Sequence, residues 1–453
     1  MHIVKIDNRP YNLDTLSIEA RSQLASLQFV DAELTRVQTM IAVMQTARMA
    51  YARAFAGRQA MTPKLAPLAA PVANPHSALL QLPLNAPKVL LVTYQWSTLV
   101  EMPFLVKQAG CEVHVLCPAN NWAIKNSFYD HWIDSGATMD SLINTLKTLD
   151  NGKVYQHILI GDDPILWKIY RDKVAALWHL LPIENPAALP ILNKIGLSQH
   201  CRDHGIASPK FVSVDRKEVA SDALEVLGLP IVVKVNYSNG GEGVQVFKDE
   251  VSYFDFMNAY DYAEPLLAQQ FMTGQLVGAE ALFKHGELLD YVNSTPIEPS
   301  LGPSFKRHYF PNDAKVGELV RQIGKTAGLH GFANIKMVRD AATQVCYLFE
   351  ADPRPNKWAP YAQWFGRDFV SAFKAFMADE DGTALEQANT SQTVESWDVE
   401  YYPGHTSKLF KKGRTSEAVA SLLDFDMNYK FTIYDPVLLK AKMEALRNTL
   451  KFD

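Results

Sequence analysis

From residue 88 onward, short runs of apolar residues alternate with amphipathic stretches, and no other feature narrows the choice of fold as much. KVLLVTY, EVHVLC and HILIGDD read as strands, separated by helical stretches through Leu105, near 138–149 and through Trp178. Strands apolar along their whole length need cover on both faces, and the intervening helices supply it, so the pattern predicts a parallel sheet in an α/β layer. No glycine fingerprint follows the first strand, where the chain reads TYQWS, which disfavours dinucleotide binding. Asp162 and Asp163 end the third strand, where such sheets place ligands; loop capping explains them equally well.

A chain of 453 residues exceeds one ordinary domain and is expected to divide into about two to four units. Residues 1–56 open with a short strand, HIVKI, and a turn through Asn8, Arg9 and Pro10. Ser17 then reads as the N-cap of a long helix. Leu27, Val30, Leu34, Val37, Ile41 and Met44 form a narrow stripe on that helix, which needs a partner: the rest of the chain, a second copy or another protein. Residues 57–87 carry six prolines among alanines and small polar residues and read as an extended connector.

A net charge of −5 gives no basic field for nucleic acid. Cys111, Cys117, Cys201 and Cys346 lack CxxC spacing and read as reduced core thiols. The N-terminus shows no basic segment followed by an apolar one, and nothing approaches the ~18 uninterrupted apolar residues of a membrane span. A cytoplasmic protein with no membrane partner is expected.

Two segments carry chemistry. LGLPIVVKVNYSNGGEGVQVF reads as a buried strand ending in Lys234, a small-residue loop and a second strand from Val244. Gly240, Gly241 and Gly243 let backbone N–H groups approach phosphoryl oxygens without interference from a Cβ, and Lys234 adds a point charge. A plain tight turn is the bland alternative. About a hundred residues on, GFANIKMVRDAATQVCYLFEADPRPNKW reads as two strands flanking a turn. Glu350 and Asp352 sit two apart, so on a strand they share one face and can offer oxygens to a hard cation such as Mg²⁺. Arg354 could reach a phosphate or a carboxylate with its bidentate fork. A strand end with a surface ion pair is the alternative.

Together, in this order and spacing, these segments resemble the ATP-grasp superfamily over roughly residues 88–385. The resemblance implies a mixed α/β and α+β architecture. A Rossmann-like domain (88–184) would precede a two-subdomain ATP-grasp fold (185–385), with the N-terminal helical extension and a C-terminal extension (386–453) at the ends. It implies ATP and Mg²⁺ as cofactors, and a ligase that activates a small-molecule or peptide carboxylate as an acyl phosphate and couples it to an amine. LNKIGLSQHCRDHGIASPKF resembles the segment that opens the family's ATP site, giving Lys194 a phosphate contact beside Lys234. LLAQQFMTG resembles the adenine-binding hinge, with Gln269, Gln270, Phe271 and Met272 along the base and Glu280 near the ribose or metal. FEADPRP resembles the metal signature, with Glu350 and Asp352 as ligands; Asp352 replaces the usual asparagine and keeps an oxygen donor.

Lys336 departs from the pattern, because family members place an acidic or amide ligand there. Three readings are open: the register differs by a residue or two, Lys336 bonds a phosphate or Glu350, or the protein runs with one metal or has lost catalysis. Arg307, in STPIEPSLGPSFKRHYF, would face the acceptor or the acyl phosphate, and Arg354 or Arg307 would stabilise the tetrahedral intermediate. YYPGHTSKLFKKGR reads as a basic loop, followed by a helix from Pro436 to Leu450. A rival from another class is an ATP-binding sensor or scaffold that no longer ligates.

Overall fold

The computed structural model describes residues 3–6, 9–12, 72–73, 85–95, 98–298, 304–360, 367–378, 396–423, 430–431 and 435–450, with the single positions 82 and 362. Two compact units divide the chain, Met1–Leu68 and Ala69–Asp453. In the first, β1 (Ile3–Ile6) and β2 (Arg9–Asn12) form an antiparallel hairpin with Ile6 opposite Arg9. Arg9 and Pro10 therefore belong to the second strand rather than to the turn. A two-stranded ribbon has open edges, where the missing N–H of proline costs nothing. The helix expected from Ser17, with its apolar stripe, lies outside the described residues.

The second unit opens with β3 (Val72–Ala73), which pairs antiparallel with Trp132 and His131. Part of the stretch expected to be a bare connector is thus a sheet edge, because two small residues suffice for the pairing. β4 (Lys88–Val92), α1 (Met102–Gln108), β5 (Glu112–Cys117), β6 (His131–Asp134), α2 (Met139–Asn151), β7 (His157–Ile160) and α3 (Asp163–Arg171) build the five-stranded sheet β3-β6-β5-β4-β7. The pairs β4–β5, β4–β7 and β5–β6 are parallel. The helix expected to run through Trp178 breaks after Arg171: Lys173 turns left-handed (φ 51°), and a 3₁₀ segment, Ala175–Leu180, follows. α2 starts on a capping box in which Thr138 and Ser141 satisfy each other's backbone N–H, a motif that contributes about 1 kcal/mol.

Beyond α4 (Lys194–Asp203), β8 (Phe211–Val214), α5 (Val219–Leu227), β9 (Ile231–Val235), β10 (Val244–Phe247), α6 (Glu250–Ala259) and β11 (Leu266–Gln270) make a small antiparallel sheet ordered β10-β9-β11-β8. The chain then crosses into a seven-stranded sheet formed by β12 (Gly274–Lys284), β13 (Glu287–Pro296), β14 (Lys306–Phe310), β15 (Gly331–Asp340), β16 (Cys346–Asp352), β17 (Trp397–Tyr401) and β18 (Lys430–Phe431). Its order is β16-β15-β12-β13-β14-β17-β18. Helices α7 (Ala314–Ala327), α8 (Phe369–Met377), α9 (Gly404–Lys411), α10 (Thr415–Leu423) and α11 (Pro436–Leu450) complete the unit.

Residues 386–453 are therefore no appendage, since β17 pairs with β14 inside the main sheet. The stretch read as a basic loop is a strand end followed by α9; Pro403 starts the helix and Gly413, at φ 71°, ends it.

Alternation along β12 sends Val277, Ala279 and Ala281 into one core with Val316, Val320 and Ile323 of α7. Leu282 points to the opposite face, into a second core with Trp358, Phe369 and Phe373. Gly278 and Glu280 continue that second face away from the core, and there the sheet becomes polar. All four cysteines are free and buried. Among the described residues, no helix is long and apolar enough to cross a membrane.

Candidate functional site

The hairpin β9–β10 is pinned by the pair Lys234–Val244 and by Val235 N–H donating to Gly243 O at 2.9 Å. Between them Gly240, Gly241 and Gly243 all adopt positive φ (61°, 85° and 68°), a conformation that charges any residue with a Cβ about 1–2 kcal/mol. At Gly243 a Cβ would also meet the Val235 side chain at 2.9 Å. Sequence and backbone thus agree on a loop whose left-handed positions favour glycine.

Lys194 is the first residue of α4, whose N-cap Asn193 accepts from Gly196 N–H. Its ammonium donates to the carbonyl of Ser238 in the glycine hairpin. Lys234 donates to Gln269 Oε1 at 2.7 Å and lies 5.0 Å above the Phe349 ring. Burial pulls the Lys234 ammonium down to about 8, opposed mainly by Glu350. Burial lowers Lys194 too, opposed by Glu350 and Asp352. Both ammonium groups therefore feel the charge of Glu350.

That acidic end is defined by cross-strand register. Glu350 pairs with Lys336 and Asp352 with Asn334, across a bulge between Lys336 and Met337. Lys336 Nζ lies 2.9 Å from Glu350 Oε1 and 3.7 Å from Asp352 Oδ2. Burial opposes the Lys336 charge, but Glu350 and Asp352 outweigh it and raise its pKa. Lys336 thus stands directly opposite Glu350 and bonds it, so no shift of register moves it out of the site. Asp352 Oδ2 also accepts from Asn334 Nδ2 at 3.1 Å and Arg354 Nη2 at 3.3 Å. Burial pushes the Asp352 carboxyl up, yet Arg354, Lys336 and Asn334 together hold it below the usual carboxylate range.

Arg354 is a correction to the sequence reading. Its fork closes on Asp163 at the start of α3, with Nε to Oδ1 at 2.7 Å and Nη2 to Oδ2 at 2.8 Å. The group expected to grip a phosphate or a substrate carboxylate instead ties β16 to the parallel-sheet layer and steadies Asp352. Asp162 is also structural: it accepts from Thr93 Oγ1 and from the backbone of Tyr94 and Gln95 at 2.7–2.8 Å.

Glu280 is opposite Asn334 on β12 and is 1% exposed. Neither of its oxygens has a hydrogen-bond partner, and neither does Asn334 Oδ1. Burial pushes the Glu280 carboxyl up to about 7 despite Arg307 and Lys336 nearby. Arg307, on β14, donates from Nε to Ser294 Oγ at 2.8 Å. Its guanidinium lies where a Cβ on residue 278 would be, 2.4 Å from Nη2, so Gly278 is what makes room for it.

The segment expected to hold adenine spans two sheets. Gln269 and Gln270 end β11, and Phe271 and Met272 carry the chain to β12. Gln269 is buried with Nε2 unpartnered, whereas Phe271 is 37% exposed. Hydrogen bonds thus tie Lys194 to the glycine hairpin and Lys234 to Gln269, and the charge of Glu350 acts on both ammonium groups, while Arg307 and Glu280 lie further along the polar face of the large sheet.

The donor set fits one hard divalent cation. Among the described residues none bonds Glu350 Oε2 or Asp352 Oδ1, whereas the other oxygen of each is engaged by cationic or amide groups. Asn334 was not read as a site residue, and Asp163 was read as a strand-end ligand or a loop cap rather than as the partner of Arg354. Asn334 shares the face of Lys336 in GFANIKM, which was a usable signal.

No family model matches the sequence. The carbamoyl phosphate synthase large chain of Kineococcus radiotolerans is 23% identical over 197 residues, 39% of this chain but 17% of that protein. The chain thus spans only a small fraction of that relative's length. In solved structures, the ADP complex of N5-carboxyaminoimidazole ribonucleotide synthetase matches with a TM-score of 0.56 at 14% identity, covering 74% of this chain and 87% of the other. An L-amino acid ligase from Bacillus licheniformis matches at 0.52 and 13% identity, covering 70% and 80%. Parallel layer, small antiparallel sheet and large antiparallel sheet together make this an ATP-grasp fold.

Proposed function

We propose that this chain is a ligase that uses ATP and Mg²⁺ to activate a carboxylate as an acyl phosphate and couples it to an amine. The observation carrying this reading is that the buried Lys234 and the half-buried Lys194 both feel the charge of Glu350, with Lys194 bonded to a hairpin of left-handed glycines. In such an arrangement the lysines neutralise polyphosphate oxygens, and the N–H groups of Gly240, Gly241 and Gly243 cover them. Gln269, Gln270, Phe271 and Met272 border the base. Glu350 and Asp352 would hold the metal, which would supply charge neutralisation for the phosphoryl groups.

Glu280 anchors the polar floor between metal and acceptor. Arg307 faces the acceptor side, where it can stabilise charge developing in the tetrahedral intermediate. Arg354 acts through Asp352 as a positioning residue. No side-chain nucleophile is needed, so catalysis rests on positioning and charge. Lys234→Ala, presented with ATP, Mg²⁺ and a panel of carboxylates and amino acids, should lose ADP release while melting as a folded protein. ADP production unchanged from wild type would remove the assignment.

One observation favours a second reading. Lys336 sits where a metal ligand is expected and bonds Glu350, which suits an ATP-binding sensor or scaffold. ATP-dependent thermal stabilisation without phosphate release across the same panel would select it.

A further inference from the structure

A cation already stands at the acidic end of β16. Lys336 contacts Glu350 Oε1 at 2.9 Å and Asp352 Oδ2 at 3.7 Å, so its ammonium bridges both carboxylates. Its position is dictated by the sheet: Lys336 is the register partner of Glu350, and Asn334 on the same face is the partner of Asp352. Side-chain exposure of 36% for Lys336 and 30% for Glu350 leaves the pair open to solvent. Asp352 Oδ2 is further engaged by Asn334 and Arg354. What remains open is one oxygen on each acid.

We infer that the Lys336 ammonium takes the place of one of two divalent cations, so that this site holds a nucleotide with a single metal ion bound by the remaining oxygens of Glu350 and Asp352. The inference rests on the ATP-site reading above. An ammonium between two carboxylates supplies fixed positive charge without ligand oxygens, and it repels a second dication from the same oxygens. It is also open to solvent, so it can neutralise phosphates in the absence of metal. A site built this way should need less Mg²⁺ to bind nucleotide than one with an oxygen donor at position 336.

The test uses the full chain, with ADP as the probe and calorimetry and Mn²⁺ electron paramagnetic resonance as readouts. Wild type should bind ADP in EDTA within about tenfold of its affinity in saturating Mg²⁺, and should take up one Mn²⁺ with ADP. Lys336→Gln, which offers an oxygen donor, should weaken binding in EDTA by about a hundredfold and take up a second Mn²⁺. Lys336→Met separates the two roles: it should lose metal-free binding without gaining the second ion. Two Mn²⁺ in wild type, or an EDTA loss as steep as that of Lys336→Gln, would overturn the inference and leave the nucleotide site standing. No ADP binding under any condition would overturn both.

Discussion

A carboxyl group that is 1% exposed, with neither oxygen hydrogen-bonded, is costly as an anion, and Glu280 avoids that cost by holding its proton up to about pH 7. The consequence for stability has a definite sign. Because the folded-state value exceeds that of an exposed glutamate, about 4.3, the group's stabilising contribution is complete below that pH. It declines as pH rises and is gone above about 7. Glu280→Gln keeps the shape and removes the titration. The melting temperature of wild type minus that of Glu280→Gln should therefore fall between pH 4.5 and 7.5, by the equivalent of about 2–3 kcal/mol. Parallel melting curves across that range would mean that the carboxyl is ionised when buried. The same argument explains why Glu280 reads ambiguously in sequence: a glutamate within an apolar strand announces itself, but its protonation state depends on neighbours supplied by β14 and β15.

At the level of elements, the decisive contact joins α3 to the end of β16. Asp163 and Arg354 form a buried bidentate pair across 191 positions. Removing one partner of such a pair strands the other charge, at a typical cost of about 3–5 kcal/mol. Asp163→Ala should lower the melting temperature markedly and, by freeing Arg354 to move, weaken Mg²⁺-dependent nucleotide binding. An unchanged metal requirement would show that Asp352 keeps its place without this brace. The glycine hairpin behaves differently, since its geometry is local. The Gly240, Gly241 and Gly243 pattern forecasts the loop because left-handed backbone is a property of single residues. Long-range pairs such as Asp163–Arg354 carry no comparable local mark.

For the molecule as a whole, the division at residue 68 makes a direct forecast. A chain beginning at Ala69 should fold with an unaltered melting transition and bind ADP as the full chain does, because every residue proposed to touch nucleotide belongs to that unit. A collapse of the transition on truncation would assign residues 1–68 a structural part in the larger unit. Within that unit two sheets are joined through Phe271 and Met272, so nucleotide bound against both, as proposed, should raise the melting temperature.

The sequence by itself determined what depends on neighbours close along the chain. That includes the parallel-sheet strands with their helices, the glycine loop after Lys234, the two carboxylates on one strand face and the C-terminal helix from Pro436. Local periodicity and φ preference suffice for these. The tertiary structure alone decided that Lys336 stands against Glu350, that Arg354 is committed to Asp163, and that β17 joins the main sheet. Those outcomes follow from strand order and register. A pairing between distant strands is selected by the burial of whole faces, which no short window of residues encodes.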